Sequence, residues 1–136
     1  MSCYVQVMAE DLRRDAGRGR DLSSLTIGPV SFDEKPMWRS LMKRFHYLGF
    51  GKAAGESILY AAVLNGQWVA LLSWAAAALH VGVRERWLGW DGVARQKRLK
   101  LVANNTRFLI LPGFSFKNLA SKTLRLNTRR LSSDWE

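Results

Sequence analysis

Apolar and polar positions alternate along the chain in two different periods. Residues 34–46 carry apolar side chains at helical spacing behind a proline in the first turn, which predicts an amphipathic helix. The apolar runs 57–64 and 67–74 flank Asn65-Gly66, the strongest short-range signal for a β-hairpin. Because both runs are apolar throughout, we expect the hairpin to be central in a sheet and covered on both faces.

The stretch 58–83 contains no charged side chain, so a membrane-spanning helix is an alternative to the hairpin. Its polar centre, Asn65-Gly66-Gln67, argues against that alternative, because lipid would leave these polar groups unpaired. We therefore predict the hairpin, followed by a short helix over residues 75–79.

The remaining pattern predicts a mixed fold. A broken strand is expected over residues 25–32, a helix from Asp91 to about Ala103, a strand over residues 107–111 and a last helix over residues 119–134. An antiparallel hairpin within this mixed order predicts an α+β or mixed α/β fold, with one further strand and flanking helices beside the hairpin.

Composition limits the class of protein. A length of 136 residues suits one domain, and we expect residues 1–24, rich in charge, glycine and serine towards their end, to be a flexible leader before a single domain over residues 25–136. The lone Cys3 excludes an intramolecular disulfide. No signal peptide is recognisable, which predicts a cytoplasmic protein without a membrane segment.

The charge is strongly uneven along the chain. The formal net charge is +10, but residues 1–34 carry −2, residues 35–130 carry +14 and the last six residues carry −2. A cationic body of this kind attracts polyanions such as nucleic acid. A solvated basic surface without a partner is the alternative.

Basic residues recur at spacings of three and four on the last two predicted helices, which places them on one face of each helix. Arginine and lysine side chains suit phosphate oxygens. The predicted nucleic-acid-binding residues are Arg95, Arg98, Lys122, Arg125 and Arg129. The opposite, buried face of the last helix is expected to consist of Ala120, Leu124, Leu131 and Trp135.

The sequence contains few candidate catalytic or metal-binding side chains. Between residues 35 and 130 the only carboxylates are Glu56, Glu85 and Asp91, which argues against a two-metal site, and neither histidine has a partner at metal-ligand spacing. We therefore predict no metal, no cofactor and no catalytic residue. The aromatic rings of Trp87 and Trp90 could stack on bases, but burial in the core is the favoured interpretation.

Five longer motifs carry a family resemblance. They lie at residues 46–49, 86–90, 104–112, 118–121 and 129–135. In this order they resemble the DruA-like domain family of Druantia anti-phage defence, a family of unknown function that is also found beside transposase genes. The fold of that family resembles the Gcn5-related N-acetyltransferases (GNAT), and the resemblance covers roughly residues 28–135.

The resemblance implies a phosphate site and an incomplete fold. GNAT enzymes bind a coenzyme A pyrophosphate at a turn that corresponds to residues 112–121 here, with candidate donors at Asn118, Leu119, Ala120 and Ser121. Family members continue beyond the last helix, so we expect a half-fold truncated at that helix. Strand 107–111 would then be a sheet edge, and pairing of this edge would give a homodimer.

Two functions follow as expectations. The first is a non-catalytic accessory domain of mobile-element or anti-phage defence biology that binds DNA through its phosphates, with RNA not distinguished from DNA. The alternative is a degenerate acyltransferase that binds a CoA-like phosphate donor at the 112–121 turn, with Glu56 or His46 as base.

Overall fold

A four-stranded antiparallel sheet organises the chain in the computed structural model, which describes residues 21–51 and 55–135. The strands are β1 (Thr26–Pro29), β2 (Ser57–Leu64), β3 (Gln67–Ala76) and β4 (Ala103–Ile110), and they lie in this order across the sheet. The described residues also form four α-helices: α1 (Lys35–Phe45), α2 (Gly82–Leu88), α3 (Gly92–Arg98) and α4 (Leu119–Trp135). A 3-10 turn (Leu99–Leu101) follows α3. The predicted α+β fold is confirmed.

The β2–β3 hairpin lies at the centre of the sheet, as predicted. Asn65 and Gly66 form its turn with φ angles of 51° and 78°, the left-handed conformation that a two-residue hairpin turn requires. Strand β1 pairs with β2 and strand β4 pairs with β3, so both hairpin strands have neighbours on either side. No helix among the described residues is long and apolar enough to cross a bilayer.

Helix α1 covers one face of the sheet. Trp38 and Met42 are fully buried on its inner side, in one apolar cluster with Leu59 and Leu71 of the hairpin. The Trp38 indole N–H donates to the carbonyl oxygen of Tyr60 at 2.9 Å. The predicted amphipathic helix is thus confirmed, with its apolar side against the strands.

Helix α4 covers the opposite face, but through different residues from those predicted. The buried residues of α4 are Leu119, Thr123 and Asn127, whereas the predicted core residues Ala120 and Leu124 are exposed. The reason is a hydrogen bond across the interface, because the Trp74 indole N–H donates to Asn127 Oδ1 at 2.7 Å. The other two predicted core residues, Leu131 and Trp135, pack against Tyr60, Leu72 and Trp74.

The connection between β3 and β4 also differs from the prediction. Residues 75–79 form no helix, since β3 continues to Ala76, whose N–H donates to the Glu56 carbonyl oxygen at 2.9 Å. The start of the helix after Asp91 is confirmed, because Asp91 Oδ1 accepts the N–H of Ala94 at 2.7 Å as an N-cap. Its predicted end near Ala103 is wrong, since the α-helix ends at Arg98 and Ala103 begins β4.

The bounds of other predicted regions differ as well, and the strand expected over residues 25–32 is limited to Thr26–Pro29. Residues 1–20 of the predicted leader lie outside the described residues, but residues 21–24 belong to the folded body, where Leu22 is buried in the core. The strand expected at 107–111 begins earlier, at Ala103, and pairs with β3 along one side only among the described residues. Pairing of this edge with a second copy stays a prediction.

Candidate nucleic-acid interface

The outer side of α4 forms a shallow depression of about 370 Å³. Its described lining residues all come from the start and the outer face of that helix, and we call them the α4 groove: Asn118, Ser121, Lys122, Arg125, Leu126 and Arg129. The structure therefore brings together three of the five predicted cations and two residues of the predicted phosphate turn. Helical spacing explains the arrangement, because residues three and four apart lie on one face.

The two arginines of the groove are open to solvent. Arg125 and Arg129 are both exposed, and within residues 21–51 and 55–135 neither forms an ion pair. Lys122 is half-buried instead, and its Nζ donates to the carbonyl oxygen of Leu22. Lys122 thus ties α4 to Leu22, while the side chains of Arg125 and Arg129 are exposed.

The predicted cations of α3 lie outside this groove. Arg95 is half-buried, and its guanidinium pairs with Glu85 Oε2 of α2 at 3.3 Å. Arg98 is exposed. The Trp135 indole N–H donates to the Lys100 carbonyl oxygen at 3.0 Å, so the segment after α3 contacts the last turn of α4. Arg95 therefore holds two helices together, whereas Arg98, like Lys97, is exposed on α3.

The predicted phosphate turn is only partly available. Leu119 is buried, and its N–H donates to the carbonyl oxygen of Phe116 at 3.2 Å. Asn118 adopts a left-handed φ of 66°, and its carbonyl oxygen accepts the N–H of Lys122 to begin the helix. Ala120 and Ser121 are exposed in the first turn, where α-helical geometry provides no intrahelical partner for the N–H groups.

A polar network that the sequence analysis missed holds the C-terminal half of α4. The Tyr60 hydroxyl donates to Asp134 Oδ2 at 2.7 Å, and Arg130 donates to the two carboxylate oxygens of Asp134 at 2.6 and 3.1 Å. Arg130 also donates to the Ile27 carbonyl oxygen of β1 at 2.6 Å. The signal in the sequence was the Arg130–Asp134 spacing of four on a predicted helix.

The charges of this network are mutually stabilised. The hydrogen bonds from Arg130 hold the pKa of the Asp134 carboxyl below its ordinary value, with the Tyr60 hydroxyl acting in the same direction. Burial raises the pKa of the Tyr60 phenol, and the Asp134 carboxylate raises it further. Arg130 is therefore a structural cation, unlike its neighbour Arg129.

Trp87 corrects the expectation that both tryptophans of its motif are buried. Its side chain is 84% exposed, and no other residue of α2 is buried either. Trp90 is half-buried and belongs to neither apolar cluster of the described residues, so its predicted place in the core is not confirmed.

A second row of cations was also missed. Lys35, Arg39 and Lys43 recur every four residues on α1, a helix that was predicted only from its apolar side. Their spacing of four residues could have identified them, just as spacings of three and four identified the cations of α4.

Comparison with known families decides the relationship. Residues 20–136 match the family model described as Druantia protein DruA. The chain belongs to the DruA family. This membership gives it an anti-phage defence context, while the likeness to acetyltransferases and the association with transposase genes stay predictions. No curated protein and no solved structure shows a significant match.

The described part of this DruA-family chain brings together no group of three or more residues of the His, Cys, Asp and Glu types that could hold a metal ion. His46 is half-buried, and its Nδ1 accepts the N–H of Leu48 at 3.2 Å. Burial lowers the pKa of His46, and the charge of Arg107 lowers it further. Glu56, the other candidate base, is exposed.

Proposed function

We propose that this DruA-family domain is a non-catalytic accessory domain that binds DNA through its phosphates in a defence or mobile-element context. The observation that carries the proposal is the α4 groove, in which the exposed Arg125 and Arg129 lie beside the polar residues Asn118 and Ser121. An arginine presents a planar fork of donors that matches two phosphate oxygens.

The remaining charge of the chain supports the same ligand. The formal net charge of +10 attracts a polyanion from a distance, and the groove supplies a place where cations meet it at close range. Arg98 extends the contact on α3, whereas Arg95 and Lys122 contribute by holding the helices in place. The contact is to the backbone, so we expect little preference for sequence.

A salt titration of DNA binding tests the proposal. The double variant Arg125→Gln/Arg129→Gln removes two phosphate contacts, so the slope of log affinity against log salt concentration should decrease in magnitude by about two. Filter binding to a duplex over a series of salt concentrations measures that slope. Failure of the wild-type chain to retain DNA at low salt would contradict the proposal.

The matched control separates the groove from the general charge. Arg86→Gln/Lys97→Gln removes two exposed cations from α2 and α3, and it should change the slope less than the groove variant does. An equal change in both variants would show that the attraction is not localised in the groove. Both variants should unfold at the wild-type temperature, because surface substitutions cost within about 0.5 kcal/mol.

The same groove favours a second candidate, a phosphate-bearing acyl donor. Asn118 and Ser121 of the predicted phosphate turn lie in one depression with Arg125 and Arg129, and such a site accepts a diphosphate as well as a nucleic-acid backbone. Calorimetric titration with acetyl-CoA tests it. If the wild-type chain releases or absorbs heat on binding and Arg125→Gln/Arg129→Gln does not, the result would support a degenerate acyltransferase. The absence of both a binding heat and a thermal shift in the wild-type chain would contradict this candidate.

A further inference from the structure

One flank of α1, beside its buried side, is a cationic surface on the sheet face opposite to the α4 groove. Lys35, Arg39 and Lys43 form one row along it, about 6 Å apart along the helix axis. Trp38 and Met42 bury the inner side, so the row is held in a fixed orientation. The eleven residues of α1 include no acidic side chain.

Exposed aromatic rings lie at the two ends of this row. Phe32 precedes α1 and is 83% exposed, and Tyr47 follows it and is 88% exposed. The Tyr47 ring stacks on the His46 imidazole, with centroids 4.8 Å apart and planes 23° from parallel. The imidazole therefore supports one face of the tyrosine ring and leaves the other face available to a second ring.

Arg39 and Lys43 are exposed, whereas Lys35 is half-buried and lines, together with Arg39, a cavity of about 350 Å³ that Asp134 also lines. Lys35 Nζ lies 5.9 Å from the centroid of Phe32, and the Arg44 guanidinium lies 5.1 Å from that of Phe45. The nearby Glu34 carboxylate accepts the Ser31 N–H and hydroxyl at 3.0 and 2.9 Å. Among the described residues, neither Lys35 nor Arg39 nor Lys43 forms an ion pair.

This combination distinguishes between classes of ligand. Cations in a row contact a phosphate backbone, and a supported aromatic ring stacks on an unpaired base, whereas a duplex keeps its base faces covered. A membrane-surface helix would need its apolar side free, but the apolar side of α1 packs against the sheet.

We infer that the surface of α1 from Phe32 to Tyr47 binds single-stranded nucleic acid. Lys35, Arg39 and Lys43 contact successive phosphates, and the free face of the Tyr47 ring stacks on a base. The inference rests on the proposed function in one respect, that the chain binds nucleic acid. It adds a second surface and a preference for unpaired strands.

Fluorescence anisotropy of the full chain with a labelled oligothymidylate and with a duplex of equal length tests this inference. Tyr47→Ala should weaken binding of the single strand about 5- to 140-fold, the range for loss of one stacked base, and leave duplex binding unchanged. Tyr47→Phe keeps the ring and should retain the wild-type affinity. Tyr47 is exposed, so the variants should fold normally.

Two further variants locate the contact. Arg39→Gln/Lys43→Gln should lower the magnitude of the single-strand salt slope by about 1.4. Trp87→Ala removes an equally exposed ring outside α1 and should have no effect. An equal loss in Trp87→Ala would assign stacking to exposed rings in general and overturn the inference.

The outcomes also separate the two proposals. If the wild-type chain binds neither strand form, the proposed function fails and this inference fails with it. If it binds the duplex through Arg125 and Arg129 while Tyr47→Ala binds the single strand normally, only the inference is overturned. Binding to vesicles of anionic phospholipid that Tyr47→Ala abolishes, without binding of the single strand, would also overturn it.

Discussion

Helices α1 and α4 cover opposite faces of one sheet, and they are attached to it by different forces. Helix α1 inserts Trp38 and Met42, both fully buried, into an apolar cluster. Helix α4 buries the polar residues Thr123 and Asn127 together with Leu119. The Arg130–Asp134 ion pair lies near its C-terminal end. Apolar burial is non-directional, whereas hydrogen bonds require defined partners and angles.

The difference has a consequence for the two cationic surfaces. On α1, the position of the cationic row follows from the burial of the apolar side next to it. On α4, the rotation of the helix depends on the hydrogen bonds of Asn127 with Trp74 and of Asp134 with Tyr60, since these bonds turn Leu124 outward and Arg125 and Arg129 with it. The α4 groove is therefore the surface more sensitive to changes in the interior.

The largest expected effect on stability comes from the apolar contacts that hold α1 against the sheet. Trp38→Ala should lower the free energy of unfolding by about 3–5 kcal/mol, because it removes a fully buried ring and leaves a cavity. Its edge-to-face contact with Phe50, with centroids 5.0 Å apart, is lost as well. Urea denaturation followed by circular dichroism measures the change.

The control for this variant keeps the aromatic volume. Trp38→Phe retains most of the apolar contact and loses the hydrogen bond to the Tyr60 carbonyl oxygen, so its cost should be smaller. A loss equal to that of Trp38→Ala would show that the hydrogen bond, and not apolar burial, attaches α1.

Loss of the hydrogen bonds that hold α4 against the sheet should have an intermediate effect on stability. Asp134→Ala leaves the Tyr60 hydroxyl without its acceptor and leaves the Arg130 guanidinium with the Ile27 carbonyl oxygen alone, which should cost about 1–3 kcal/mol of unfolding free energy. Chemical denaturation of Asp134→Ala, Tyr60→Phe and the double variant measures it as a cycle.

The double variant decides whether the network acts as a unit. If the two residues are coupled, Tyr60→Phe should cost less in the Asp134→Ala background than in the wild-type chain. Strictly additive losses would contradict the coupling. Weaker DNA binding by Asp134→Ala would further show that this network positions the α4 groove.

The smallest effects concern pH, and they differ between the two helices. At the end of α1, burial lowers the pKa of His46 below its ordinary 6.5, so below that pH the unfolded chain binds a proton that the folded chain does not. Its contribution to stability should therefore decrease as the pH falls below 6.5. Denaturation of His46→Gln and of the wild-type chain over a pH series should show a shallower acid-side decline for the variant.

The hydrogen-bond network of Tyr60, Arg130 and Asp134 on α4 should change stability at more acidic and at more alkaline pH than His46 does. Arg130 keeps the pKa of Asp134 below 3.8, so its contribution is present above pH 3.8 and is lost as the pH falls through the lower folded value. The raised pKa of Tyr60 gives a contribution that is present below pH 10 and is lost at higher pH. Tyr60→Phe should flatten the alkaline decline, and an unchanged alkaline profile would argue against the network.

Several elements could be predicted from the sequence because their signals are local. The Asn65-Gly66 turn between two apolar runs determined the central hairpin, and Asp91 determined the start of α3 through its own side chain. The apolar spacing of residues 34–46 likewise determined α1. The cationic character of the candidate surfaces also followed from composition alone.

The site itself was only partly predictable. Helical spacing correctly grouped Lys122, Arg125 and Arg129, but it gave no means to tell a cation that is tied internally from one that is open. Arg95 has its partner on α2, ten residues earlier, and Lys122 has its acceptor at Leu22. Such pairings depend on how separate elements pack, and no local pattern encodes them.

The sequence by itself determined the hairpin, the amphipathic α1 helix and the excess of positive charge, because each depends on neighbouring residues or on a simple count. Only the tertiary structure decided which side of α4 is buried, that Trp87 is exposed, and which arginines are open to a ligand. The physical reason is that a buried polar group such as Asn127 is stabilised only by a partner that folding brings to it, here Trp74 from a strand 53 residues away.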